Sequence, residues 1–231
     1  MAIKGFQGTS LLDYPGKIAS LLFLGGCNLT CPFCHNPGLV LEPDQYPDYP
    51  MEFILGELEQ RRKFIDGVVV SGGEPTINPE LGELLREIKK LGLKVKLDTN
   101  GLLPCCLEGL VSRDLVDFVA MDLKTAPQRY GELHNQPVKI DNLLESIRIL
   151  VEGKIEYEFR TTCVPNLVET EDILAIGEAL KGAGLWVLQQ FVASHALEEK
   201  YQDLEPHSYS KLKEFVGIGQ RYANSVSLRG V

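Results

Sequence analysis

Three of the six cysteines fall within eight residues, Cys27-Asn28-Leu29-Thr30-Cys31-Pro32-Phe33-Cys34, spaced x3 and then x2. The apolar run from Ser20 to Leu24 leads into them through Gly25-Gly26. That run reads as a buried strand and the two glycines as a sharp turn. Three thiols on one loop at a strand end are close enough to grip one metal centre.

The number three restricts the chemistry. A structural zinc site closes its tetrahedron with four ligands, and a cluster used for electron transfer normally has four cysteines. No fourth cysteine follows at short spacing, and His35, adjacent to Cys34, is an awkward partner in the same tetrahedron. An iron–sulfur cubane held by three cysteines leaves one iron open to an outside ligand. The spacing by itself also admits a zinc knuckle or three unrelated thiols.

A chain of 231 residues is enough for one sizeable core, and a single domain is expected. The net charge of −9 argues against nucleic acid or an anionic membrane as the main partner. The first ten residues lack a basic region followed by a long apolar core, so no signal peptide is expected. The apolar runs are short of the ~20 residues of a membrane span. Six cysteines, three of them clustered, suggest a reducing cytoplasm and metal binding rather than a disulfide scaffold.

After an N-terminal cap or hairpin over residues 1–18, a strand–helix rhythm begins. Strands are predicted at 19–24, 67–70, 93–97, 116–121, 155–162 and 186–191. The predicted helix faces are Ile54, Leu55 and Leu58; Leu81, Leu84, Leu85 and Ile88; Leu107, Leu110 and Val111; Leu144, Ile147 and Val151; Ile173, Ile176 and Leu180. A last helix is predicted from about 208 to 222. Asn78, Asp141 and Thr170 are the candidate helix caps, Asn78 with Pro79 at the first helical position. Strands alternating with helices imply a parallel sheet with right-handed crossovers. Six units are fewer than the eight of a closed barrel. The expectation is an α/β fold, an open partial (β/α)6 barrel over residues 19–222, with its functional groups at the C-terminal ends of the strands.

The remaining motifs fall at those ends. Ser71-Gly72-Gly73-Glu74-Pro75 follows the second core strand, where glycines allow close backbone approach and Glu74 offers an acceptor. Asp98-Thr99-Asn100-Gly101 follows the third, and the Asn-Gly pair is turn chemistry. Met121-Asp122-Leu123-Lys124 ends the fourth, and residues two apart on a strand share a side. Asp122 and Lys124 can therefore both face a ligand, or pair with each other as a surface ion pair worth little.

The cysteine spacing, with an aromatic just before the last cysteine, resembles the signature of the radical S-adenosylmethionine (SAM) enzymes. Together the four pieces, C-N-L-T-C-P-F-C-H-N, S-G-G-E-P, L-D-T-N-G and M-D-L-K, resemble the activating enzymes of glycyl radical enzymes, pyruvate formate-lyase activase among them. The stretch Thr9 to Lys17, with Arg160-Thr161-Thr162, Val164-Pro165 and Leu188-Gln189-Gln190-Phe191, is similar to the branch that activates anaerobic ribonucleoside-triphosphate reductase.

The resemblance implies a partial barrel, a 4Fe-4S cluster on Cys27, Cys31 and Cys34, and S-adenosyl-L-methionine chelated to the open iron. It implies Phe33 along the adenine, and Gly72, Gly73 and Glu74 at the methionine end. Asp98, Asp122 and Lys124 would complete the polar shell, with Asn36 a ribose candidate. It further implies a radical SAM oxidoreductase whose substrate is a protein, the glycyl radical enzyme, and whose electrons come from flavodoxin or ferredoxin. No acid–base residue is required. Where the related activase carries a histidine at the end of the sixth strand, this chain reads Gln189-Gln190-Phe191, and His195 cannot be assigned to that role. A cysteine-rich insert for further clusters is absent from the sequence. Cys105, Cys106 and Cys163 read as packing residues. The rival readings are a radical SAM enzyme acting on a small molecule, similar to 7-carboxy-7-deazaguanine synthase, and a zinc-binding interaction module.

Overall fold

The computed structural model describes residues 2–134 and 136–231. In chain order the elements are β1 (Ile3–Ser10), β2 (Ala19–Leu24), α1 (Pro37–Leu41), α2 (Met51–Arg61), β3 (Gly67–Gly72), α3 (Leu81–Lys90), β4 (Lys94–Thr99), α4 (Pro104–Ser112) and β5 (Phe118–Asp122). There follow α5 (Ile140–Glu152), β6 (Glu156–Cys163), α6 (Thr170–Ala179), β7 (Leu185–Gln190), α7 (Glu199–Gln202), α8 (Tyr209–Gly219) and β8 (Ser225–Arg229). All six predicted core strands are present, and the fold is α/β with parallel strands, as a partial (β/α)6 barrel requires. Among the described residues no helix is long and apolar enough to cross a membrane.

Two compact units divide the chain. The first takes in the residues up to Asn28, Gly38–Thr99 and Cys105–Val119; the second takes in Leu29–Pro37, Asn100–Pro104 and Ala120–Val231. In the first, β1 lies antiparallel on β2, and β2, β3 and β4 pair in parallel. The N-terminal cap of the sequence reading is thus an edge strand followed by a tight turn. Register aligns Leu22 with Val70 and Leu97 on one side of the sheet, and Leu21 with Val69 and Lys96 on the other. Ile54, Leu58, Leu84 and Ile88 from α2 and α3 are buried.

In the second unit β6, β7 and β8 pair in parallel. Register aligns Phe159 with Trp186 and Val226, and Thr162 with Gln189 and Arg229. Trp186 is fully buried, and its indole N–H donates to Thr161 Oγ1 at 3.0 Å. The strand β8 lies beyond the predicted barrel limit of 222. Its run Ser-Val-Ser-Leu-Arg is short and half polar, so only pairing with β7 defines it as a strand. The salt bridge from Arg229 to the buried Glu158, at 2.8 Å, ties it to β6.

Several helix boundaries differ from expectation, each for a local reason. In α5 the buried residues include Leu143, Ile147 and Leu150, while Leu144 is 41% exposed. Both stripes have spacing of three and four, and only the packing partner selects between them. The cap of α6 is Glu169, which forms a reciprocal capping box with Asp172; Thr170 is the first helical residue. The cap position of α5 is Lys139, and Asp141 lies in the first turn, where a carboxylate favours the helix dipole. Asn78 precedes α3 by two further residues, and its Oδ1 accepts from Glu80 N at 3.2 Å. The last helix, expected over about 208–222, is α8; Ser208 caps it, accepting from Lys211 N at 3.2 Å, and it ends at Gly219. α2 likewise ends at Arg61.

One carboxylate locks the lower edge of the first unit. Asp117 accepts from Lys89 Nζ at 2.8 and 2.9 Å, from Lys94 Nζ at 2.8 Å and from Val95 N at 2.8 Å. Partial burial pushes this carboxyl up, but bonds from Lys89 and Lys94 outweigh that and hold it below its ordinary value. Since the folded value lies below the unfolded one, the stabilisation is complete above about pH 4 and is lost as pH falls through the folded value. Asp117→Asn should cost about 1–3 kcal/mol at pH 7. The gap between variant and wild type should close as the medium is taken below about pH 4, read by thermal or urea unfolding. A gap unchanged at pH 3 would show that the charge is not what stabilises.

Candidate functional site

The cysteine loop leaves β2 through Gly25 and Gly26. Gly25 N donates to Ala2 O at 3.0 Å, and Gly26 N to Leu39 O at 2.8 Å. The glycine loop after β3 closes on the same backbone, with Gly73 N donating to Leu24 O and Glu74 N to Gly26 O, both at 2.8 Å. A Cβ on Gly73 would stand 1.9 Å from Gly26 O, and one on Gly72, at φ +119°, 2.4 Å from Leu24 N. Both glycines are therefore demanded by the approach of one loop's backbone to the other. The sequence reading expected them to admit a ligand; here their close neighbour is the start of the cysteine loop.

Glu74 is 1% exposed. Its Oε1 accepts from Thr76 N at 3.1 Å, from Thr76 Oγ1, and from Thr99 Oγ1 at 2.7 Å. One oxygen of this acceptor is thus committed within its own unit. Asp98 lies on the opposite side of β4 from Thr99. Its Oδ2 accepts from Ser71 Oγ at 3.3 Å, and its Oδ1 from Lys96 Nζ. Cys27, half-buried, ends this half of the loop, with Sγ 3.9 Å from Asn28 Oδ1.

The second unit carries the rest of the loop. Thr30 N donates to Leu133 O at 3.2 Å and Thr30 Oγ1 meets His134 Nδ1 at 3.1 Å, while Glu198 N donates to Pro32 O at 2.9 Å. Cys34 N donates to Cys31 O at 2.9 Å, a turn that brings these two cysteines round together. Cys31 and Phe33 are buried, Cys34 is half-buried, and Asn36 is exposed. His35 stacks on Phe191 with ring centroids 6.3 Å apart.

Asp122 and Lys124 form an ion pair at 2.9 Å, and Asp122 is held from its other side by Arg160 Nε at 2.7 Å. Burial would push the Asp122 carboxyl up, but Arg160 and then Lys124 outweigh it and hold it far below the usual carboxylate range. Burial would likewise lower Lys124, but Asp122 and then the Cys31 thiolate raise it well above the ordinary lysine value. Tyr130 Oη accepts from Lys124 N at 3.1 Å, which fixes the backbone at that point. Arg160 entered the sequence reading only as part of a resemblance. Its signal was there to use, since the period of two puts Arg160 on one face with Glu158 and Thr162.

The other cysteines are divided. Cys163 is buried, its Sγ 3.8 Å from Thr161 O, and burial pushes its thiol up to about 12. Burial, and then Glu74, also raise the Cys106 thiol. Cys105 is exposed on the first turn of α4, so it is not the packing residue expected. Of the two glutamines at the end of β7, Gln190 turns toward His207 and donates to its carbonyl at 2.9 Å. Gln189 shares the face of Thr162 and Arg229. His195 is exposed.

None of the six cysteines is in a disulfide. Among the described residues, no three His, Cys, Asp or Glu side chains are gathered around one point as for a single ion. A cubane sets a different requirement, because each cysteine goes to a different iron. Three thiols on one loop, none of them in a disulfide, fit that donor set. Within the second unit, Asp122, Lys124 and Arg160 bring both signs of charge together.

Comparison with known proteins agrees with this chemistry. Residues 21–180 match the radical SAM superfamily. A Methanocaldococcus jannaschii protein with the provisional name glycyl-radical enzyme activating enzyme is 33% identical over 235 residues, 99% of this chain and 96% of its own. A pyruvate formate-lyase-activating enzyme of Staphylococcus epidermidis is 27% identical over 193 residues, 76% of this chain and 74% of its own. The solved structure of Streptococcus suis SuiB bound to S-adenosylmethionine has the same fold, with a TM-score of 0.65 at 20% identity over 88% of this chain. The chain spans 48% of SuiB, about half of its length. With a match over most of its length and the three-cysteine loop at the head of that match, the chain belongs to the radical SAM superfamily, whose members use a 4Fe-4S cluster and S-adenosylmethionine.

Proposed function

We propose that this protein is the activase of a glycyl radical enzyme, with anaerobic ribonucleoside-triphosphate reductase as its partner. The observation that carries the reading is the end-to-end likeness to the Methanocaldococcus jannaschii relative, on a chain whose cysteine loop stops at three. The choice of reductase rests on the Thr9 to Lys17 resemblance, and flavodoxin or ferredoxin is the expected electron donor.

Cys27, Cys31 and Cys34 would hold the cluster, and the residues around Gly72 to Glu74, Asp98, Asp122 and Lys124 would hold SAM. When bound, the cluster and SAM together supply reductive cleavage of the sulfonium S–C5′ bond and a carbon radical able to take an α-hydrogen from glycine. The protein's part is orientation. Lys124 offers an ammonium to a ligand carboxylate while Asp122, itself held by Arg160, fixes it in place. Asp98 offers a fixed carboxylate to an amine. The buried Phe33 and Cys31 give the loop a dry underside.

Cys31→Ala should remove the cluster and SAM cleavage while the fold persists, since the thiol sits on a loop outside the helix–sheet packing. The measurements are iron and sulfide per chain, methionine release and thermal unfolding. Undiminished iron with continued methionine release would refute the ligand assignment. Lys124→Ala should weaken SAM binding roughly tenfold to a hundredfold, the range for losing a charge-assisted bond, with iron content unchanged. Equal affinity would make Lys124 only the partner of Asp122. For the partner, an extended peptide copying a glycyl loop and deuterated at its α-carbon should pass deuterium to 5′-deoxyadenosine. The reductase itself should show a glycyl doublet by electron paramagnetic resonance. If no glycyl radical enzyme gives the doublet and a small molecule consumes the radical, the activase reading fails while membership of the superfamily stands.

A further inference from the structure

Lys96 is a lysine inside a strand and almost inaccessible, at 1% exposure. It stands in β4 between Val95 and Leu97, which point to the other side, and register places it beside Val69 of β3. Its Nζ ends on Asp98 Oδ1, two residues further along the same face. The second oxygen of Asp98 accepts from Ser71 Oγ at 3.3 Å. Each carboxylate oxygen thus has a donor from its own unit, one of them charged.

Stability is a poor reason for such a pair. Burying an ammonium is expensive unless it is paired, and replacing a buried ion pair by apolar groups of similar volume is often neutral or stabilising. The strand supplies apolar residues on either side of Lys96, so a methionine or leucine would satisfy the pattern. What the pair does is hold one carboxylate in one orientation at the C-terminal end of a parallel strand, where open α/β sheets bind ligands. The neighbouring carboxylate, Glu74, accepts from Thr76 and Thr99.

We propose that Lys96 is a positioning residue, which acts through Asp98 to hold that carboxylate ready to accept from the amino group of SAM's amino-acid end. This rests on the proposed function, which places Asp98 in the shell around SAM.

The test is the dissociation constant of SAM, by equilibrium dialysis with labelled SAM, on anaerobically reconstituted full-length protein. The set is wild type, Lys96→Met, Asp98→Asn and the double variant, with iron content and thermal unfolding measured on each. Lys96→Met and Asp98→Asn should each weaken SAM about tenfold or more, the loss expected for a charge-assisted bond. The double variant should bind SAM within about threefold of Asp98→Asn, because a residue acting through Asp98 adds nothing once that charge is gone. Lys96→Met that lowers the unfolding temperature yet binds SAM like wild type would reduce the pair to a structural one and overturn the proposal. A double variant about tenfold weaker than Asp98→Asn would overturn it too, by showing that Lys96 acts independently. If Lys96→Met alone does not fold, this second comparison still decides, since the double variant leaves no uncompensated buried charge. Wild type measured first separates the two levels: failure to bind SAM overturns the proposed function together with the inference, whereas the variant outcomes bear on Lys96 alone.

Discussion

The backbone of Gly73 lies against that of Gly26 with no room for a side chain. Glu74 N reaches Gly26 O and Gly73 N reaches Leu24 O, in a space where any Cβ on Gly73 would fall 1.9 Å from an oxygen. Two loops that begin at the ends of neighbouring strands are thereby joined by their main chains, which have few degrees of freedom to relax. The join sets where the cysteine loop starts and sends Glu74 inward to Thr76 and Thr99. Thr99 in turn belongs to the strand that carries Asp98. A single steric requirement therefore orders the start of the cysteine loop, the glycine loop and Glu74, which Thr99 ties to the strand of Asp98.

Charge organises the second unit. Asp122 lies between Arg160 and Lys124, and the three leave one positive charge in excess on their face of the strands. A triad of this kind is stable because each desolvated group meets opposite charge within about hydrogen-bond distance, which offsets its burial. The influence of Cys31 on Lys124 joins this network electrostatically to the cysteine loop. The first unit repeats the device on a smaller scale with Lys96 and Asp98.

Where sequence reasoning stopped short, the reasons are physical. The apolar stripe of α5 has two equivalent readings, and packing buried Leu143 and Leu150 in place of Leu144. Asp141 and Thr170 are good capping residues by type, but the cap belongs to whichever residue the incoming chain leaves in an extended conformation, and here that is Lys139 and Glu169. The strand β8 has too little apolar character to announce itself and exists by pairing with β7. Arg160 and Lys96 looked like ordinary charges in apolar strands; a partner from another strand, or from two residues along, gives each its meaning.

The order of the chain was enough to determine the alternation of strands and helices, the six core strands and the positions of the motifs at strand ends. It also carried the resemblance to the radical SAM superfamily, because the cysteine spacing and the strand-end motifs are local. Those properties depend on neighbours a few residues apart, which a sequence displays directly. Tertiary structure alone decided that Gly72 and Gly73 are required by another loop's backbone, that Glu74 is turned to two threonines, and that Asp122 is shared by Arg160 and Lys124. It also decided which of two cysteines on α4 is exposed. Each of these depends on groups tens of residues apart in sequence being held within a few ångströms, and that separation is set by packing of the sheet rather than by any local propensity.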